Sequence, residues 1–308
     1  MTKVYIDGAV GTTGLRIKDR LSSRKDVELL TIPDEHRKDA KWRQEYINSA
    51  DVTFLCLPDQ AAIEAVSLAS ENAKIIDAST AHRVNPDWAY GFPELGKDFY
   101  DKIKNSNRIA NPGCHASGFI SLVYPLIKEG VLSKDSYLSC TSLTGYSGGG
   151  KKMIADYEDE NRDTLLGAPR MYGLSQAHKH LPEMSFITGL TKKVSFMPIV
   201  GDFYSGMEVV VPLEMEMLSG VKTLAQLKEL YKDFYAGKEL VKAVDFEESF
   251  ISAKALENKD TMEVGVSGND ERVVLVSLFD NLGKGASGAA IQNFNIITGQ
   301  KETEGLTL

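Results

Sequence analysis

At 308 residues the chain exceeds the size of one ordinary hydrophobic core, and it predicts two domains. Hydrophobic residues make up 43% and charged residues 25%, a globular balance that gives no compositional case for disorder. The net charge of -8, from 35 Lys plus Arg against 43 Asp plus Glu, excludes the basic surface that nucleic acid or an anionic membrane requires, so an anionic small molecule must be met by local positive groups.

The first residues, MTKVYIDGAVG, enter a strand and a glycine turn without the basic, apolar and small-residue sequence of a signal peptide. No apolar run approaches the roughly 20 residues of a membrane span, so a cytoplasmic protein is expected. Cys56, Cys114 and Cys140 form no close pair and leave an odd thiol, which argues against a disulfide framework and a zinc cluster; no metal site is expected.

In chain order, residues 3–7 read as a buried strand that breaks at Gly8-Ala-Val-Gly11-Thr12-Thr13-Gly14 before a helix over 15–23. Residues 27–32 and 51–57 predict two more strands, the latter ended by Pro58, and 60–70 have helical spacing. A strand at 74–77 continues a βαβ series, whose simplest solution is a doubly wound parallel sheet with helices on both faces. Beyond Cys114 the texture changes: a helix over 118–129, longer strands over 136–143 and 207–217, a helix over 224–235, a strand over 272–279 and a helix over 288–298. A dinucleotide-binding domain over 1–113, with 284–308 packing back on it, and a catalytic and substrate domain over 114–283 are expected.

Gly8, Gly11 and Gly14 stand where a dinucleotide turn needs them: missing side chains let backbone N–H groups approach a pyrophosphate, and the next helix offers its positive end. Thr12 and Thr13 add hydroxyl donors, and a ligand-free turn is the plain alternative. The second strand ends near Thr31 without the acid of an NAD site; Asp34 and Glu35 follow, but so do Arg37 and Lys38, which suit a 2′-phosphate, and the balance leans to NADP.

Cys114, in Asn-Pro-Gly-Cys-His-Ala-Ser-Gly over 111–118, precedes a helix, a location that favours the thiolate. A thiolate attacks an acyl carbon, and a thioester accepts hydride. Cys56 and Cys140, in apolar strands, read as structural. The pair His178 and His180 has a spacing that suits opposite faces of a strand; Glu183, three residues further on, favours His180 as the acid or base. The turn from Gly145 through Ser147 to Lys151 suits an anion or is a surface loop, Asn281 and Lys284 stand before the last helix, and the acidic stretch 156–163 reads as solvated helix surface.

Together, GAVGTTG at 8–14, DASTAHR at 77–83, YGFPE at 90–94, NPGCHASG at 111–118, GYSGGGK at 145–151, AHKHLPEM at 177–184, MPIVGDFYSGM at 197–207 and DNLGKGASGAAIQN at 280–293 resemble the N-acetyl-gamma-glutamyl-phosphate reductases, most of all their shorter bacterial form. His115, where the longer forms have Tyr, fits that subgroup. The resemblance implies a Rossmann domain joined to an α+β domain of the glyceraldehyde-phosphate and aspartate-semialdehyde dehydrogenase kind, with NADP as cofactor. It implies reduction of N-acetyl-glutamyl 5-phosphate to the semialdehyde in arginine biosynthesis. Cys114 falls on the nucleophile and His180, or else His178, on the catalytic histidine, with Glu183 beside them. The N–H of Cys114 is the candidate oxyanion donor, Asn281 is expected at the cofactor or else the substrate, and Arg83, Ser147, Lys151 and His178 are the candidates for meeting the substrate. The partners expected are substrate and phosphate, with a homodimer or homotetramer as the assembly. An aspartate-semialdehyde dehydrogenase and a non-catalytic NADP-binding regulator are the alternatives.

Overall fold

The computed structural model describes residues 1–246 and 249–308, which fall into two compact units: Met1–Pro112 with Ala286–Leu306, and Gly113–Gly285 with Thr307–Leu308.

The first unit is built on strands β1 (Thr2–Asp7), β2 (Val27–Leu30), β3 (Val52–Leu55), β4 (Ile75–Asp77), β5 (Ala89–Tyr90) and β6 (Arg108–Ala110), all parallel, in the order β2-β1-β3-β4-β6-β5. Continuous burial of β3 and of the last four residues of β1 is what a parallel sheet covered on both faces produces, and it explains why these strands do not alternate in sequence. Helix α1 (Thr12–Ser22) starts at the glycine turn and buries Gly14, Ile17 and Leu21. Helix α2 (Ala40–Ser49) is capped by the Asp39 carboxylate, which accepts from the N–H groups of Lys41 and Trp42 at 2.8 and 3.4 Å. Helices α3 (Asp59–Leu68) and α4 (Lys97–Asn105) complete the N-terminal part.

The second unit opens with α5 (Cys114–Lys128), followed by β7 (Ser139–Gly145), α6 (Gly150–Glu158), β8 (Arg170–Met171), α7 (Leu181–Thr188), β9 (Ser195–Gly201), β10 (Met207–Glu214), α8 (Leu224–Phe234), β11 (Val241–Ala243), β12 (Met262–Gly268) and β13 (Arg272–Phe279). Its mixed sheet runs β11-β12-β13-β10-β7-β9-β8. The closing helix α9 (Gly288–Thr298) belongs to the first unit, where Ile291 and Phe294 share a core with Val4, Ile17 and Phe54.

Helix α5 is buried along most of its length and lies so close to the sheet that a Cβ on Gly118 would come within 2.3 Å of Val209. It also contains Pro125, which has no N–H for the Ser121 carbonyl one turn back. The Tyr235 hydroxyl donates to that carbonyl at 2.7 Å, and the Tyr231 hydroxyl donates to the Leu122 carbonyl. Two tyrosines thus satisfy carbonyls beside the proline, and the helix continues past it to Lys128.

Several expected bounds shift: α5 begins at Cys114, not 118, and β7 spans Ser139–Gly145 rather than 136–143. Helix α1 begins at Thr12, not 15, because the turn glycines leave the helix start open. The strand expected over 207–217 stops at Glu214, and Met215–Met217 form a short 3-10 turn. The acidic stretch is helical only to Glu158; Asp159 and Asp163 instead accept from the N–H groups of Asn161 and Leu165 in successive turns.

Candidate active site

In the first unit a cavity of about 470 Å³ opens beside the glycine turn, lined by Gly8, Ala9 and Val10, the end of β2 and residues Lys18, Asp34, Glu35, Arg37 and Lys38. The three glycines are needed for different reasons. Gly8 has φ +87°, and a Cβ there would lie 2.3 Å from the Cys56 carbonyl oxygen; a Cβ on Gly14 would lie 2.4 Å from the Gly8 carbonyl oxygen. Internal packing alone therefore demands these two. Gly11 has an ordinary φ of -73°, and its added Cβ would meet nothing closer than 3.5 Å. Among the described residues nothing excludes a side chain there. Gly11 is also the N-cap of α1 and supplies no capping side chain, while Thr12 and Thr13 form the first turn.

That arrangement fits a dinucleotide diphosphate: a helix N-terminus without a capping side chain, kept open by a glycine, beside a cavity. Thr31, not an acid, follows β2, and Arg37 Nε meets the Asp34 carboxylate and carbonyl at 3.4 Å each, exposed contacts too solvated to hold the guanidinium strongly. Asp7 at the end of β1 is paired with Arg43 at 2.9 Å, both nearly buried, which offsets its charge beside the turn. Lys18 was missed in the sequence; it lies one helical turn beyond Gly14, a spacing that would have flagged it.

The loop before the nucleophile candidate is tied through Asn111. Its N–H donates to Asp77 O at 2.7 Å, its carbonyl accepts from Arg83 Nε at 2.9 Å, its Nδ2 donates to Ala286 O at 3.0 Å and its Oδ1 accepts from Asn293 Nδ2 at 3.2 Å. Arg83, expected at the substrate, is buried and also donates to Ala78 O at 2.8 Å. Its donors go at least in part to fixing this loop.

In the second unit Cys114 is the first residue of α5, with Gly113 as an N-cap that brings no capping side chain. The Glu183 carboxylate accepts from the Gly113 N–H at 2.8 Å and is itself buried, in the first turn of α7. It holds the turn that leads into Cys114, a position the three-residue spacing to His180 did not suggest. Gly285 presses on the same point: a Cβ there would sit 3.0 Å from Cys114 Cβ. The other thiols are inert. Burial, with Asp77 and Asp7 adding to it, pushes Cys56 up to about 12, and burial raises Cys140 further.

His178 and His180 do not alternate on a strand. His180 is the N-cap of α7, and its N–H donates to His178 Nδ1 at 3.2 Å; the two rings are 4.9 Å apart on the same side. The physical reason is the Pro182 that starts a helix, together with Gln176, whose amide takes the place of a strand residue. That amide accepts from the Phe196 N–H at 2.8 Å and donates to the Phe196 carbonyl at 2.7 Å. Both rings meet His115, at 5.4 and 5.5 Å. His115 is buried, and burial, followed by His178 and Lys179, pushes it down to about 3, so it is neutral; burial and Lys179 lower His178 as well. Among the described residues no group of three donors is placed to hold a metal ion.

Ser147 and Asn281 are brought together. Asn281 Nδ2 donates to Ser147 Oγ at 3.0 Å, and its Oδ1 accepts from the Gly206 N–H at 2.9 Å. Expected at the cofactor, Asn281 thus ties the glycine turn of Ser147 to β10. Lys151 is exposed in the first turn of α6, where a basic residue opposes the helix dipole and an anion would restore the balance.

Residues 3–103 match the semialdehyde dehydrogenase NAD binding domain and residues 114–281 the semialdehyde dehydrogenase dimerisation domain, so the chain is of the semialdehyde dehydrogenase class. Its fold is that of aspartate semialdehyde dehydrogenase from Francisella tularensis (TM-score 0.72, 16% identity, 97% of this chain and 100% of that one). It is also that of aspartate semialdehyde dehydrogenase II from Vibrio cholerae, solved with ASA (TM-score 0.71, 15% identity, 97% and 98%). Within the class, the chain is 45% identical to the N-acetyl-gamma-glutamyl-phosphate reductase of Brucella ovis over 97% of its own length and 99% of the relative's. It is 45% identical to that of Sinorhizobium medicae over 96% and 98%. The chain belongs to the N-acetyl-gamma-glutamyl-phosphate reductase family, as its eight motifs indicated.

Loss of Gly8 and loss of Gly11 should therefore have different consequences. Gly11→Ala is expected to weaken NADP binding roughly tenfold or more while leaving the unfolding temperature near wild type, whereas Gly8→Ala, strained at positive φ, should cost about 1–3 kcal/mol of stability as well. Calorimetric titration and thermal melts of both variants check this; equal loss of stability in the two would contradict it.

Proposed function

We propose that this protein reduces N-acetyl-glutamyl 5-phosphate to N-acetyl-glutamate 5-semialdehyde with release of phosphate, a step of arginine biosynthesis, using NADPH. The observation that carries the reading is Cys114 at the first position of α5, in a turn held by Glu183, in a chain 45% identical to reductases of that name over nearly its whole length.

In this reading Cys114 Sγ attacks the acyl carbon, the C–O bond to phosphate breaks, and phosphate leaves with the electron pair, forming a thioester. Negative charge on the sulfur before attack is favoured by the N-terminus of α5, and the carbonyl oxyanion that develops takes a hydrogen bond from the Cys114 N–H. Bound NADPH supplies the hydride that reduces the thioester. His180 gives a proton to the resulting oxygen and takes it back as the thiohemiacetal collapses to aldehyde and thiolate, and His178, whose Nδ1 holds the His180 N–H, steadies that segment. Lys151 and the Ser147 turn hold the substrate's anionic groups, with Asn281 fixing the turn. Arg83 acts through the Asn111 loop. Gly11, Thr12 and Thr13 hold the diphosphate in a turn whose shape Gly8 and Gly14 permit, and Arg37 with Lys38 and Lys18 meets the 2′-phosphate.

A homodimer or homotetramer and a cytoplasmic location belong to the same proposal; among the described residues no helix is long and apolar enough to cross a membrane.

Phosphate-dependent reduction of NADP with N-acetyl-glutamate semialdehyde tests the reading. Wild type should turn over and Cys114→Ser should lose at least about a thousandfold in kcat, with aspartate semialdehyde a poor substitute. A preference for aspartate semialdehyde would change the substrate, and NADP binding without turnover of either would remove the catalytic reading. Replacing Arg37 and Lys38 by Ala should raise KM for NADP roughly tenfold and leave that for NAD near wild type; an equal rise for both would place the 2′-phosphate elsewhere.

A further inference from the structure

His115, the second residue of α5, has no part in the reaction steps above, yet its ring is pinned at both nitrogens. Ser142 Oγ, on β7, lies 2.6 Å from Nδ1, and the Tyr172 hydroxyl lies 2.7 Å from Nε2. The sheet brings these two hydroxyls to one ring: Ser142 stands opposite Pro198 of β9, and the Tyr172 N–H, just beyond β8, donates to the Pro198 carbonyl at 3.0 Å. Ser142 and His115 are both buried.

A neutral imidazole has one donor and one acceptor nitrogen, so one of the two hydroxyls donates to the ring and the other accepts from it. Turning the ring about its Cβ–Cγ bond breaks both hydrogen bonds, so the edges it presents are fixed. Four other rings rest against it: His178 and Phe196, each at 5.4 Å and close to perpendicular, His180 at 5.5 Å and Tyr172 at 6.2 Å. His178 in turn lies 4.9 Å from His180. Burial, with His178 and Lys179 adding to it, makes His115 hard to protonate. Such a ring is a poor base, which leaves proton transfer to its neighbour.

We infer that His115 is a positioning residue for His180: pinned between Ser142 and Tyr172, its ring sets the orientation of the acid–base imidazole from the same helix turn that carries the Cys114 sulfur. The inference rests on His180 being the acid–base group of the proposed reaction. Two consecutive residues then have separate tasks, Cys114 as the reacting sulfur and His115 as the fixed wall that aims the proton carrier.

The test is phosphate-dependent NADP reduction with N-acetyl-glutamate semialdehyde by His115→Leu, which removes both hydrogen bonds, and by His115→Gln, whose amide has one donor and one acceptor end. His115→Leu should lower kcat roughly thirtyfold and leave both KM values within about twofold of wild type, because a misaimed group slows the step without weakening binding. The ratio of kcat in H2O to kcat in D2O should rise, since proton transfer by His180 becomes the slow step, and a loss of stability alone would not move that ratio. Iodoacetamide should alkylate Cys114 at the wild-type rate, and His115→Gln should recover most of kcat. A rise in KM at unchanged kcat, a fall in kcat with no rise in the isotope ratio, or alkylation slowed as much as kcat overturns the inference. Should His115→Leu fail to fold, Ser142→Ala decides alone: a smaller fall in kcat with a raised isotope ratio is expected, and a wild-type value of either overturns it. His180→Asn keeps the two failures apart. Wild-type kcat in that variant would sink the functional reading itself, whereas an inactive His180→Asn beside a fully active His115→Leu would sink the inference alone.

Discussion

The hydrogen bond from the Gly113 N–H to the Glu183 carboxylate fixes where α5 begins, and therefore where the Cys114 sulfur stands. The helix is anchored along its length by the close approach of Gly118 to Val209 and by the two tyrosines at Pro125, so its first turn has little room to shift. Gly285 closes the other side, at a distance from Cys114 that admits no side chain without movement. Cys114 thus stands at a helix end held on both sides by the protein itself, where the helix dipole favours negative charge.

On the N-terminal side the loop reaching Gly113 is held by Asn111, all of whose polar groups have partners in the first unit, including Arg83. The glycine turn of that unit follows a similar economy. Gly8 and Gly14 let the strand and helix meet, and Gly11 keeps the helix end accessible. The first two are conditions of folding; the packing makes no such demand on the third.

Much of this was readable in the sequence, because it depends on local rules. Glycines after a first buried strand, a cysteine before a helical run and the spacing of the βαβ elements each carry a direct physical meaning, and the eight motifs placed the chain in its family. What was hidden depends on tertiary contacts. The spacing of His178 and His180 is compatible with a strand, and only Pro182 and the Gln176 amide on β9 turn the segment into a helix start. Glu183 is three residues from His180 but reaches Gly113, seventy positions away in sequence. Likewise, no local pattern joins Ser142, His115 and Tyr172, whose contact is made by the sheet order β7-β9-β8.

The most direct measurement of the central claim, a thioester on Cys114, is made with N-acetyl-glutamate semialdehyde and NADP in the absence of phosphate. Without the nucleophile that releases the acyl group, the account predicts a burst of NADPH stoichiometric with the chain and an acyl adduct mapped by mass to the Cys114 peptide. No burst, or an adduct on another residue, would contradict it.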